Sequence, residues 1–370
     1  MGRKRIPGLT QRGGIWHIDK CIKGYGRLCE STGTSDLIEA ENYLVHRLNA
    51  IREQVKFGVR PTVTFRQAAT KYLEEATIRS IDRCAQALKQ LDPYIGDLPI
   101  DQVHADSLYD FMMARRKAGR RSGTVKRDLC TVRRILNLAA RKWRHNLSNG
   151  RSVPWLDTAP LIEMPDWGDK KLPYPLDWDE QHRFFQALPD HLSRMALFKV
   201  NTGTREEEVC ALQWQWEVSV PELATSVFIV PGEVVKNKDE HVVVLNQIAR
   251  SVIELVRGQH PKYVFTYKGD RMWDGMRNSA WVRAWNRAGL PQSDDVLRGP
   301  HNLKHTFGRR LRAAGVPYET RQVLLGHRNG DVTTHYSAAE LQELIDAAEK
   351  VVSENSRKTP ALTLLRRALS

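Results

Sequence analysis

The chain is predicted to be mostly α with small antiparallel β-sheets, and multidomain: a small β-plus-helix N-terminal domain, a helical bundle, and an α+β C-terminal domain. Three observations carry this. Apolar residues recur at helical period through nearly all of residues 65–146 and much of the chain after 176. β-type runs are short, confined to the first 60 residues and to the pair SVFIVPG and HVVVLN. A chain of 370 residues is too long for one core, and prolines at 154, 160, 165, 173 and 175 mark a break between two.

Taken in order, residues 1–60 open with GGIWHIDKCIKGYGRLCESTGT, whose glycines divide two or three small strands. A helix over 36–57 comes next, with Leu37, Ala40, Tyr43, Leu44, Leu48 and Ile51 near helical period. Basic residues Arg3, Lys4, Arg5, Arg12, Lys20, Lys23 and Arg27 suit a sheet lying on nucleic acid as well as a plain solvated cap. Residues 61–150 read as four helices joined by turns marked with Gly or Pro, a compact bundle. Its third and fourth helices carry Arg115, Arg116, Lys117, Arg120, Arg121, Lys126, Arg127, Arg133 and Arg134, continuing to Arg141, Lys142 and Arg144, against the single acid Asp128. So unmixed a sign favours contact with phosphates over an idle solvated face.

Residues 151–175 are expected to be an extended linker. From 176 to 352 the pattern is DWDEQHRFFQAL and HLSRMALFKVNTG as helices, then a short one in TREEEVCALQW. An antiparallel hairpin comes next, with a basic loop over 233–240, and helices return over 247–258, 276–288, 301–314, 318–325 and 338–352. The tail, 353–370, is polar and then TLLRRAL. No repeat of 20 to 50 residues is evident.

With 57 Lys+Arg against 43 Asp+Glu, a formal charge of +14, the surface field favours a polyanion: DNA, RNA or an anionic membrane. No apolar run approaches the roughly 18 residues of a membrane span, and the basic start MGRKRIPG is not followed by a signal core. A soluble cytoplasmic protein is expected. The five cysteines are odd in number and form no CxxC pair, which argues against a disulfide framework and a zinc ribbon.

The stretch HNLKHTFGRRLRAAGVPYETRQVLLGHRNGDVTTHY, 301–336, is where chemistry concentrates. His301, Lys304 and His305 stand at helical spacings of three and four and project from one face. An apolar run then ends at Gly326 and His327, and Tyr336 comes from another element, so imidazole, ammonium and phenol can converge on a phosphodiester. The HxxxH pair also has the spacing of a helical metal chelate, but the metalloprotease form needs glutamate where Asn302 stands. No metal is expected.

Upstream, Thr204 with Glu207 has the form of a capping box. Arg205 and Glu208 are then left three apart on one face. The guanidinium fork of Arg205 matches two phosphate oxygens. Glu208 serves either to orient Arg205 or a histidine, or to complement the helix N-terminus. In the basic loop, Lys236 and Lys238 sit where a flexible ammonium can reach a leaving oxygen.

Four blocks in this order resemble the tyrosine recombinase, or phage integrase, family: TGTREEEVCALQW at 202–214, VVKNKDEHVVVL at 234–245, HNLKH at 301–305, and LLGH with Tyr336 nine residues after His327. The resemblance covers about half the chain. It implies Arg205, Lys236, His301, Lys304, His327 and Tyr336 as catalytic residues, with Glu208 and His305 supporting, and the family's pattern favours Lys236 over Lys238. It also implies an arm-type DNA-binding domain at 1–60, a core-binding domain at 61–150 and a catalytic domain at 176–352. Lys304 departs from the family, standing where a second arginine is usual, so it is expected to hold one phosphate oxygen singly; Arg309 and Arg310 leave the helix in other directions.

The reaction implied by the resemblance is site-specific DNA recombination by metal-independent transesterification. Tyr336 would form a 3′-phosphotyrosyl link and release a 5′-OH, with no cofactor because the bond energy stays in the intermediate. Double-stranded DNA is the expected partner, with a homotetramer assembled on it, DNA-bending accessory proteins, and the C-terminal helix packed on a neighbouring protomer. Three rivals differ testably: a type IB topoisomerase relaxes without exchange, a DNA-binding regulator forms no covalent adduct, and a metal-dependent nuclease fails in chelator.

Overall fold

A computed structural model of the chain describes residues 7–23, 25–57, 60–147, 151–236, 238–327 and 337–352. The chain forms two compact units, Met1–Lys170 and Lys171–Ser370.

The first unit begins with an antiparallel sheet of β1 (Leu9–Arg12), β2 (Ile15–Ile22) and β3 (Gly26–Ser31), in that order. The register sets Leu9 opposite Ile18 and Lys20 opposite Leu28. With a side-chain period of two, Leu9, Ile18 and Leu28 therefore share a face, and Ala40, Leu44 and Ile51 of α1 (Leu37–Phe57) bury it. On the other face Arg27 grips Asp19 through Nε and Nη2, both at 2.8 Å.

The bundle comprises α2 (Phe65–Glu75), α3 (Ile81–Ile95), α4 (Tyr109–Lys117) and α5 (Ser122–Arg141). A capping box starts α2: the Thr64 hydroxyl accepts from the Gln67 amide, and the Gln67 side chain accepts from the Thr64 amide. Phe65, Tyr72, Leu91, Ile95 and Phe111 meet Leu129, Val132 and Ile135 of α5 in the core. Asp128 is fully buried, held by Arg83 at 2.5 Å and Arg115 at 3.3 Å. The expected linker is not free. A hairpin of β4 (Arg144–Asn146) and β5 (Ser152–Pro154) precedes Leu156 and Ile162, which enter the bundle core, and Asp169 accepts from the Ser122 amide at 2.8 Å. Proline excludes helix here, as expected, but apolar side chains still find a surface to cover.

In the second unit, α6 (Trp178–Ala187) and α7 (Asp190–Thr202) are followed by the short α8 (Glu206–Cys210). Next is an antiparallel sheet, ordered β6 (Glu217–Val220), β7 (Thr225–Val230), β8 (His241–Val244). The β7–β8 hairpin matches expectation; the edge strand β6 is additional. Beyond it come α9 (Gln247–Val256), the two-residue strands β9 (Thr266–Tyr267) and β10 (Asp270–Arg271), then α10 (Ser279–Arg287), α11 (His301–Ala313), α12 (Tyr318–Leu324) and α13 (Ala338–Glu349). Helix α7 is central, packed against both α9 and α11. Its core neighbours include Phe184, Phe228, Trp281 and Trp285.

One expectation is overturned. The apolar face of α13, with Leu341, Leu344, Ile345 and Ala348, packs not on a neighbour but in its own chain, against a cluster containing Phe307, Leu311, Leu324 and Val244. The Gln247 amide of α9 donates to Glu349 at 2.6 Å, fastening the far end of the helix. An amphipathic face near a chain end looks unpartnered in sequence; here α12 and β8 supply the partner. The tail 353–370 lies outside the described residues. Among the described residues no helix is long and apolar enough to cross a membrane.

Candidate active site

The site begins where α7 stops. Gly203 turns the chain at φ +67°, in the left-handed region, and its amide donates to the Lys199 carbonyl at 3.0 Å. A Cβ at this residue would lie 2.6 Å from Cδ1 of Phe307, so glycine is required by conformation and by space. The turn is thereby pressed against α11.

Arg205 then occupies the N-cap position of α8. This corrects the expected Thr204–Glu207 capping box by one residue: the reciprocal carboxylate is Glu208, whose Oε2 accepts from the Arg205 amide at 2.8 Å. Thr204 is instead buried, its hydroxyl 3.0 Å from that of Thr202. The Arg205 guanidinium donates from Nη1 to Glu208 Oε1 at 2.9 Å and from Nη2 to the Gly326 carbonyl at 2.7 Å. Glu208 therefore does orient Arg205, and it also orients a histidine. Nδ1 of His241, the first residue of β8, lies 3.0 Å from Glu208 Oε2, and since an ionised carboxylate only accepts, Nδ1 carries the proton. Burial works to raise the Glu208 carboxyl, but donors from His241 and Arg205 outweigh it and hold the group below the usual carboxylate range.

Gly326 completes this wall. Its φ is +53°, and a Cβ there would meet the His241 ring at 2.8 Å. The LLGH turn can thus lie flat on the imidazole, which brings the Gly326 carbonyl to Arg205.

Lys304 points inward from α11, only 4% exposed. Its Nζ donates to the Gly203 carbonyl at 2.9 Å and to the Leu325 carbonyl, so one ammonium ties the end of α7 to the LLGH turn. Burial, then the nearby Arg205 charge, pushes the ammonium down to about 7. On the same helix His301 and His305 meet edge to face, centroids 4.7 Å apart. Burial foremost, then His305, Lys199, Lys304 and Arg205, pushes His301 down to about 4, leaving it neutral near pH 7. His305 is lowered by burial and the Lys304 charge. His327, beside Gly326, has Nδ1 2.8 Å from Gln322 Oε1 and is likewise lowered, by burial and then by Lys304 and Arg205. Arg310 leads away, its guanidinium 3.5 Å over the Trp178 ring.

The structure therefore brings Arg205, Glu208, Lys304 and the Gly326–His327 turn into contact, with His301 and His305 beside them. Lys236 and Lys238 are exposed on the loop joining β7 to β8. Tyr336 lies outside the described residues. Two functional candidates escape a reading of the sequence, His241 and Lys199. His241 reads as the first letter of a β-run. Lys199 reads as an ordinary helical lysine, although its neighbours Phe198 and Val200 are a signal: both are fully buried, and Lys199 with them, its Nζ donating to the Thr204 carbonyl.

In the first unit Arg116, Lys117, Arg120, Arg127, Arg133 and Arg134 are exposed. Arg115 is turned to Asp128, Arg121 donates to the Asp169 carbonyl at 2.8 Å, and Lys126 lies 3.9 Å from Asp166. Half-buried and paired, these three present less charge to solvent than a count of basic residues implies.

Comparison with known proteins bears on both units. The model of the phage integrase family matches residues 176–343. The chain is similar to the integrase of Salmonella phage P22, at 24% identity over 96% of this chain and 97% of that protein. It is also similar to the tyrosine recombinase XerA of Saccharolobus solfataricus, at 23% identity over 65% of this chain and 77% of that protein. In fold it is similar to a lambda integrase solved as a tetramer bound to a Holliday junction, with a TM-score of 0.54 at 14% identity over 90% of this chain and 99% of that one.

Proposed function

We propose that this chain, whose residues 176–343 match the phage integrase family, is a tyrosine recombinase that cuts and rejoins double-stranded DNA at specific sites through a 3′-phosphotyrosyl intermediate. The observation that carries the reading is the convergence of Arg205 with Lys304 and the Gly326–His327 turn, two cations and two backbone turns gathered from three separate sequence blocks. Such a cluster suits a five-coordinate phosphorus, where charge builds on the non-bridging oxygens. Arg205 and Lys304 donate to those oxygens, His327 joins them from Nε2 once the phosphate charge has protonated its ring, and Lys304, with two of its three N–H groups on carbonyls, has one left to give.

The phenol of Tyr336 forms the new O–P bond as the P–O5′ bond breaks. Its proton passes to a neutral imidazole, His301 or His305, which becomes more basic once the phosphate brings its negative charge alongside. Lys236 protonates the departing 5′ oxygen. Attack by a different 5′-OH reverses these steps and exchanges strands. Exchange between two duplexes calls for four active sites, hence a homotetramer on DNA, as in the lambda integrase assembly. Residues 1–60 and 61–150 serve as arm-type and core-type DNA contacts, DNA-bending proteins assist, and the protein acts in the cytoplasm.

The test is a nicked duplex from which the cut strand diffuses away. Wild-type protein should leave a denaturation-resistant protein–DNA complex, undiminished by chelator and absent in Tyr336→Phe. Equal adduct from both proteins would remove Tyr336 from the mechanism.

Lys304 gives a second expectation, in pH. Deprotonation through about 7 removes a cation from the site, so cleavage at subsaturating DNA should fall as pH rises from 6 to 9. Lys304→Arg, charged throughout, should be flat over that range. Stability should move the other way. The unfolded lysine titrates near its ordinary value of about 10.4, so between about 7 and there the unfolded state binds more protons and stability rises with pH, Lys199 adding to the trend. A cleavage rate that keeps climbing to pH 9 in wild type contradicts the assignment.

A further inference from the structure

The proposed chemistry leaves Lys199 without a task, yet it is fully enclosed in α7. Its ammonium donates to the Thr204 carbonyl, while Lys304, from α11, donates to the carbonyl one residue earlier, Gly203, at 2.9 Å. Two cations from different helices thus hold two successive peptide carbonyls directly upstream of Arg205. Those peptide planes set the direction in which the Arg205 side chain leaves the backbone. Space-filling does not explain a lysine here: burial disfavours an enclosed ammonium, the charges of Glu208 and Glu206 offset that only in part, and an apolar side chain of the same length would fit the surroundings of Phe198 and Val200 at no such cost. What methionine or leucine cannot do is donate to the Thr204 carbonyl.

We propose that Lys199 is a positioning residue for Arg205: by clamping the Thr204 carbonyl it fixes the 203–205 turn and so the aim of the guanidinium at the scissile phosphate. This rests on the reaction proposed above, in which Arg205 meets that phosphate. The clamp acts beside other restraints on the turn: the left-handed Gly203, the Lys304 bond to the Gly203 carbonyl and the Thr202–Thr204 hydroxyl pair. It holds the carbonyl side of the peptide joining Thr204 to Arg205, whose N–H side donates to Glu208.

The experiment is a double-mutant cycle on the full chain, read by single-turnover cleavage of the nicked duplex, with DNA affinity and melting temperature measured on the same samples. Lys199→Met is expected to bind DNA within about twofold of wild type, to melt no lower, and to cleave about 10- to 100-fold more slowly, the loss typical of a group displaced by about an ångström. Lys199→Gln, which keeps a donor on a shorter arm, should recover part of the rate. Acting through Arg205, the effect must vanish without it, so Lys199→Met/Arg205→Ala should cleave no more slowly than Arg205→Ala alone. Multiplying losses in the double variant, or a wild-type rate per folded molecule in Lys199→Met, overturns the proposal. If Lys199→Met does not fold, Lys199→Gln takes its place in the cycle under the same criteria. Wild-type protein that forms no covalent adduct would instead sink the reaction itself, a separate result.

Discussion

Arg205→Ala is expected to slow single-turnover DNA cleavage by about 10²- to 10³-fold, the loss seen when one preorganised donor to a developing oxyanion is removed. The geometry makes this side chain hard to replace. It joins the buried carboxylate of Glu208 to the carbonyl of Gly326, so its loss takes a cation from the phosphate and one anchor from the LLGH turn. Arg205→Lys should recover little, since an ammonium that meets Glu208 and Gly326 keeps one N–H, where the guanidinium keeps enough to hold two phosphate oxygens as a planar fork. DNA affinity, measured by fluorescence anisotropy, should change much less, because phosphate contacts spread over a long duplex carry most of it. Cleavage within threefold of wild type in Arg205→Ala would leave the site without its principal cation.

Gly203→Ala should be among the most damaging small substitutions in the second unit. The residue adopts φ +67°, and the new methyl would lie 2.6 Å from the Phe307 ring, itself fully buried. Left-handed strain and overpacking each cost about 1–3 kcal/mol, so a loss of about 3 kcal/mol is expected. For a unit of this size that lowers the melting temperature by about 10 °C. Gly258→Ala is the control. It shares the left-handed conformation at φ +79° but has nothing within 4 Å of the new Cβ, so only the strain, about 1 kcal/mol, should appear. Equal losses at the two glycines would mean that Phe307 yields freely and that the end of α7 is not held tightly against α11.

Helices such as α7, α9 and α11 are legible in the sequence because each needs only its own periodicity and caps. The site blocks are legible because chemistry demands particular residue types at short spacings, as with Arg205 and Glu208. The features that stay hidden depend on partners distant in sequence. Strand β6 is four residues long and ends at Pro221, so it has little alternation of its own; its pairing with β7 makes it a strand. The capping register is ambiguous by one residue because both Thr204 and Arg205 have a glutamate three positions later, and only the packing of the turn chooses between them. Helix α13 looks free to join a neighbour because nothing in its sequence points to Leu311 and Leu324. Lys199 and His241 are inconspicuous for the same reason: each matters through one carbonyl or one carboxylate supplied from elsewhere.

The bracing of Arg205 by Glu208 and Gly326 bears on how affinity and speed divide. A long, flexible arginine ordinarily surrenders about 0.5–1.5 kcal/mol of rotational freedom when a ligand pins it. Here that freedom has already gone by the time the polypeptide is folded, so an incoming strand meets a fork whose orientation was settled without it. In the proposed reaction, where the exposed cations of the bundle hold the recombination sites, evolution can then tune that grip while leaving the cutting step untouched.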